Sequence, residues 1–202
     1  MPHNRCRASL RTSVLITTLL FAGAGMLPAQ AAQTSTAQAS QAQKQLAKLA
    51  AAFHAARCKF DPLLFATANG DSRYNDQLGL AISPSVRAAQ FTQYRQMQKQ
   101  LMTVRRDQLG EPDQLTYDLL SYELNNAMQL ESFPEHLLPL NQFDNVPSTL
   151  ANYADGTGSQ PLGTVAQYQA YLSRLKQLPA WIDQAIANMK QGIRAGMRVI
   201  GE

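Results

Sequence analysis

Apolar residues in this chain recur at every third or fourth position and nowhere alternate, a spacing that fits helices and excludes a half-buried sheet. The clearest stripe is Val86, Gln90, Tyr94, Met97, Leu101 and Val104. It follows Ser83-Pro84, where Ser suits a helix cap and Pro the first helical position, and is expected to end near Leu109-Gly110. Leu46, Leu49, Phe53 and Ala56 form an earlier stripe that should stop before Asp61-Pro62, because the residue ahead of proline is pushed out of the α region. A further helix opens at Pro112-Asp113 and carries two adjoining apolar faces: Leu115, Leu119 and Tyr122 on one, Leu120, Leu124 and Ala127 on the other. Thr164 and Gln167 match a capping box, with Val165, Tyr168, Leu172 and Leu175 as the expected buried stripe. Pro179 starts or kinks a last helix bearing Ile182, Ala185, Ile186, Met189 and Ile193. The fold class is therefore all-α: five or six helices in an irregular bundle.

Two stretches break the pattern. Residues 61–76 read as a short helix begun by Pro62, a left-handed exit at Asn69-Gly70, and a polar turn crowded with Asp71, Arg73, Tyr74, Asn75 and Asp76. Residues 132–163 hold four prolines and several glycines and read as a long irregular connection, with a helical turn near Ser148–Asn152.

The N-terminus has the parts of an export signal. Arg5, Arg7 and Arg11 precede an uncharged apolar run from Ser13 to Leu27, which at about 15 residues is short of a membrane span. Pro28 and Ala29-Gln30-Ala31 follow, so cleavage is expected after Ala31. Without those three arginines Lys+Arg falls from 18 to 15 against 14 Asp+Glu, so the body carries a charge of only +1. A nucleic-acid partner is not implied. The division expected is a signal peptide over 1–31, a Gln/Ala/Ser-rich linker over 32–45 and a helical domain over 46–202, exported to the periplasm or secreted, with no membrane attachment after cleavage.

Most catalytic patterns are absent. No G-x-S-x-G, G-x-G-x-x-G or phosphate loop occurs, and past the leader only His54 and His136 remain, so no His-Glu-x-x-His zinc motif is present. His54 and Cys58 stand four apart on a predicted helix and can face the same way, but two ligands do not close a tetrahedral site. No metal and no cofactor are expected in this chain, and no catalytic residue is assigned. Asp71 and Asp76 bracket Arg73, a pattern that suits acid–base work, a cation, or a turn whose carboxylates bond amides or Arg73. The amide-rich loop 139–147 can contact a peptide or a sugar. The candidate substrate contacts are Asp71, Arg73, Tyr74, Asn141 and Gln142.

Pro62-Leu-Leu-Phe-Ala-Thr-Ala-Asn-Gly-Asp71 with Arg73-Tyr-Asn-Asp76, then Leu115-Thr-Tyr-Asp-Leu-Leu120, Leu138-Pro-Leu-Asn-Gln142 and Tyr168-Gln-Ala-Tyr-Leu-Ser-Arg-Leu175, resemble the bacterial domain-of-unknown-function 885 family, in order and spacing from about residue 45 to 196. The resemblance implies an exported or lipid-anchored, largely helical, zinc-peptidase-like protein. Members are longer, and their His-Glu-x-x-His-type helix lies in a C-terminal part with no matching positions here. It therefore implies the N-terminal helical segment of such a protein, inactive alone, with zinc and a peptide substrate belonging to the full-length form. Broad apolar helix faces imply self-association. Two rivals stand beside it: a self-sufficient helical binding or scaffolding protein of the cell envelope, and a metal-free enzyme using Asp71, Arg73 and Asp76.

Overall fold

The computed structural model describes residues 27–141, 145–156 and 158–197, with side chains from residue 38 onward. Among these residues the chain is all-α, with no strand. The helices are α1 (Leu27–Phe60), the single turn α2 (Pro62–Phe65), α3 (Pro84–Met102), α4 (Glu111–Gln129), α5 (Val146–Ala154), α6 (Val165–Leu175) and α7 (Leu178–Arg194). No described helix is long and apolar enough to cross a membrane. Residues 1–26 of the expected leader lie outside the described residues.

Two apolar cores build the molecule. The first joins α1, α3 and α4 through Leu46, Leu49, Phe53, Tyr94, Leu101, Leu120 and Leu124. Tyr94 is its centre: Phe53, Phe60 and Phe91 meet its ring edge-on at centroid distances of 5.5, 6.2 and 6.4 Å. Each such pair contributes about 0.5–1.5 kcal/mol beyond the area it buries. The second core gathers Leu63, Leu78, Leu150, Tyr153, Tyr171, Trp181 and Ala185 from α2, the 78–82 segment, α5, α6 and α7.

Local signals place most helix starts. The Ser83 side chain accepts from the Val86 N–H, Asp61 caps α2, and Thr164 with Gln167 closes a full capping box. Gly70 takes the left-handed exit with φ 79°.

Several expectations are corrected. Residues 32–45 are helix rather than linker, and Ala42 already sits in the first core. The third helix ends at Met102, not near Leu109-Gly110. Thr103 and Val104 bond back three residues to Gln100 and Leu101, so the last turn tightens, and Val104 reaches the core from the turn beyond. The 132–163 connection is less irregular than expected, because Asn145 caps the nine-residue α5.

The largest correction concerns α6, whose buried residues are Tyr171 and Arg174. Leu175 packs on the second core, whereas Val165, Tyr168 and Leu172 are exposed. On α7 the buried face is Trp181, Ala185, Asn188 and Gly192, and Ile182, Ile186 and Ile193 lie outside it. Of the two faces of α4, Leu120 and Leu124 are buried, while Leu115, Leu119 and Tyr122 are exposed.

Candidate functional site

The polar turn after α2 is held by side chains about a hundred residues away. Its four consecutive carbonyls, from Tyr74 to Gln77, are all taken. Arg174 donates from Nη2 to Tyr74 O (2.7 Å) and from Nε to Gln77 O (2.8 Å). Gln160 Nε2 donates to Asn75 O (2.9 Å), and Gln177 Nε2 to Asp76 O (2.7 Å). Arg174 also donates to Gln160 Oε1 (2.6 Å) and Thr67 Oγ1 (2.8 Å), and Thr67 in turn donates to Asn75 Oδ1 (2.9 Å). The Leu78 N–H completes the clamp by donating to Gln177 Oε1 (3.1 Å).

Arg174 has no exposed surface, and the four oxygens it donates to are all neutral. Burial pushes its guanidinium down to about 10, still charged at neutral pH. The Tyr153 ring lies 5.9 Å from the guanidinium carbon and adds its negative face to the oxygens. A cation fully surrounded by oriented dipoles is satisfied without a carboxylate. The clamp therefore fixes the turn to α6 and the second core.

Asp71 and Arg73 stand at the outer edge of that turn. The Asp71 carboxylate accepts from the Arg73 backbone N–H (3.1 Å), from Nε (2.9 Å) and from Nη2 (2.6 Å). This is the turn arrangement that the spacing allowed. The paired Arg73 guanidinium holds the Asp71 carboxyl down at about 2. Because the folded value is depressed, the pair's contribution is complete above the unfolded aspartate range and fades as pH falls toward 2. Followed by carboxyl carbon NMR, Asp71 should titrate near pH 2, and Arg73→Ala should return it toward the ordinary range. A midpoint near 4 in the unaltered protein would show that the pair does not persist in solution.

A cleft of about 860 Å³ opens between α2, the 78–82 segment, the 133–141 segment and α5. Its walls are mixed: Leu63, Ile82, Phe133, Val146, Tyr153 and Trp181 beside Gln90, Glu135, His136, Asn141 and Asn145. A mostly apolar hollow with a few placed polar groups is the form of a ligand site. Arg87 stiffens one side, its Nη2 donating to the carbonyls of Leu130 (2.7 Å), Glu131 (3.1 Å) and Phe133 (2.9 Å). Asn188 on α7 ties two walls together by donating to Ile82 O (2.7 Å) and His136 O (2.8 Å). Gly192 lets the Leu137 backbone approach, since a Cβ there would lie 3.0 Å from Leu137 O. Burial, then the nearby Arg87 charge, holds His136 below the usual imidazole range, so it is neutral at pH 7. Its Nδ1 is buried without a hydrogen-bond partner among the described residues.

The five residues singled out as substrate contacts are thus divided. Asn141 lines the cleft, Asp71, Arg73 and Tyr74 are not among its lining residues, and Gln142 lies outside the described residues. Neither the clamp residues Gln160, Arg174 and Gln177 nor Arg87 and His136 of the cleft and Asn188 behind it were singled out as site residues by the sequence. Arg174 does fall three residues after Tyr171, at the spacing of a shared helix face.

The clamp joins two runs distant in sequence, 62–76 and 168–175, into one structural unit. Residues 64–200 match the family described as Bacterial protein of unknown function (DUF885). The chain belongs to this family. The DUF885 match covers the first clamped run from Leu64 onward, all of the second, and the cleft-lining segments after Leu64. No curated protein and no solved structure matches the chain.

Proposed function

We propose that this chain is the helical, substrate-walling segment of an exported zinc-peptidase-like protein, and that it is catalytically inert without a metal-bearing part supplied by other sequence. The observation that carries this reading is an apolar stripe left in solvent. Val165, Tyr168 and Leu172 on α6 continue as Ile182, Ile186 and Ile193 on α7, in steps of three, four, ten, four and seven. Pro179 and the half-buried Leu175 and Met189 occupy the same register between them. Ile193 is 72% exposed and Val165 75%, on helices that bury Tyr171 and Arg174 from α6 and Trp181, Ala185, Asn188 and Gly192 from α7. A row of this regularity is what a helix presents to a packing partner. The cleft beside the second core is large enough for several residues of an extended peptide.

The reading is tested on the purified chain. With zinc supplied, no turnover is expected on a mixture of unstructured peptides, whereas strong binding of an environment-sensitive apolar dye is expected and should fall in Leu172→Glu/Ile186→Glu. Chelator-sensitive peptide hydrolysis by the chain alone would overturn it. A self-sufficient scaffold is the second reading, favoured by the completeness of the Arg174 clamp. It requires one cooperative unfolding transition without dye binding.

A further inference from the structure

His54 and Cys58 offer only two ligands along α1, but the tertiary fold adds a third. Asp71, from the turn after α2, brings a carboxylate oxygen to them, and the three ligand atoms all lie within 4.8 Å of one another. Cys58 Sγ stands 3.6 Å from His54 Nε2. In a tetrahedral zinc site with Zn–S of about 2.3 Å and Zn–N of about 2.0–2.1 Å, the sulfur and nitrogen are about 3.5–3.6 Å apart. This edge of the tetrahedron is therefore already at its bonded length. Bringing in the carboxylate requires a movement of about 1 Å, which the exposed His54 ring and the flanking turn can supply.

We propose that His54, Cys58 and Asp71 bind a divalent zinc-type cation, with the fourth position open to water. The donor set is borderline-soft: one thiolate, one imidazole and one carboxylate, a combination that favours zinc over calcium or magnesium. Thiolate and carboxylate bring two negative charges to the ion, that of the carboxylate shared with Arg73. The site lies at the C-terminal end of α1, whose carbonyl dipoles favour a cation.

The neighbouring arginines do not stand against it. Arg57 is paired with Glu123 at 2.8 Å and lies over the Phe65 ring, and Arg73 is engaged with Asp71. By holding both carboxylate oxygens, Arg73 orients Asp71 as the second layer of a metal site does. Cys58 now donates its S–H to Phe65 O at 3.3 Å, and burial pushes the thiol up. Coordination breaks that S–H bond, forms the metal–sulfur bond and releases the proton to solvent. The ion would staple α1 to the Asp71–Asp76 turn. None of the three ligands lines the cleft, so the site is independent of the peptide-walling role.

The test uses the full chain carrying His3→Gln and Cys6→Ser, so that the leader offers neither imidazole nor thiol, titrated with cobalt(II). One equivalent should produce a sulfur-to-cobalt charge-transfer band that zinc abolishes by displacement. Zinc should also raise the melting temperature. Both effects should vanish in Cys58→Ser. His54→Ala, at an exposed position, and Asp71→Asn should each weaken binding at least tenfold, roughly the loss seen when even outer-layer partners are removed. Native far-ultraviolet dichroism in His54→Ala separates lost binding from lost folding. No band in the unaltered trio, or an undiminished band in His54→Ala and Asp71→Asn, would overturn the proposal. The second result would leave only a lone thiolate.

Discussion

Arg174→Ala should lower the free energy of unfolding by about 4 kcal/mol or more, a large share of the 5–15 kcal/mol typical of a domain. The substitution strips the Arg174 donors from Gln77 O, Gln160 Oε1 and Thr67 Oγ1, and leaves Tyr74 O with only the Gln77 N–H. A buried acceptor left unsatisfied costs about 1–3 kcal/mol, and the volume of the removed side chain adds a cavity. Arg174→Lys should recover about half of the loss. It restores the charge, but one ammonium cannot span acceptors that a forked guanidinium reaches with three nitrogens. Urea unfolding followed by circular dichroism reads both variants, with the midpoint falling and the slope unchanged. Amide exchange at Leu78, whose N–H bonds the clamp residue Gln177, should quicken in Arg174→Ala. A loss below about 1 kcal/mol would mean that water replaces the clamp at little cost.

Gly79→Ala is the second large expected loss, about 3 kcal/mol or more, and it arises from two separate causes. Gly79 has φ +80°, a left-handed conformation that costs a side-chain-bearing residue about 1–2 kcal/mol. A Cβ would also stand 2.7 Å from Pro62 Cδ and 2.8 Å from Phe60 O. Neither a proline ring nor a backbone carbonyl can swing aside, so the end of α1 must part from the 78–82 segment at a further cost of about 1–3 kcal/mol. Gly70→Ala is the internal control. Its φ is +79°, but nothing lies within 4 Å of the new methyl, so only the conformational cost of about 1–2 kcal/mol is expected. Equal losses for the two variants would show that strain alone, without the steric contact, accounts for Gly79.

Local chemistry made much of the fold legible. Ser83 and Thr164 cap the helices they were expected to cap, because an N-cap needs only a side-chain oxygen and an amide two or three residues away. Periodicity located the first core, since Phe53, Tyr94, Met97 and Leu101 have no reason to recur at helical steps except to pack. The same rule misread α6. Its apolar residues Val165, Tyr168 and Leu172 face solvent, and the polar Arg174 is buried. Apolar periodicity values a side chain by its transfer from water to oil. The interior here instead presents backbone oxygens that only a multi-donor cation satisfies together. Asn141, in the amide-rich 139–147 loop, lines the cleft. Arg87 passed unnoticed and His136 entered only in the search for a zinc motif, since nothing near them in the chain marks a wall built from distant segments.

What the sequence determined by itself is therefore what short-range geometry controls: an all-α chain, most helix starts, the left-handed exit at Gly70 and the Asp71–Arg73 turn. Tertiary structure alone decided which face of each helix is buried, and which distant groups meet. Arg174 reaches Thr67 across 107 positions, and Asp71 joins His54 and Cys58 from beyond the end of their helix. A helix face is chosen by the sum of everything packed against it, and a constellation exists only once loop closure has brought its members together. Neither quantity is a property of any window of the chain.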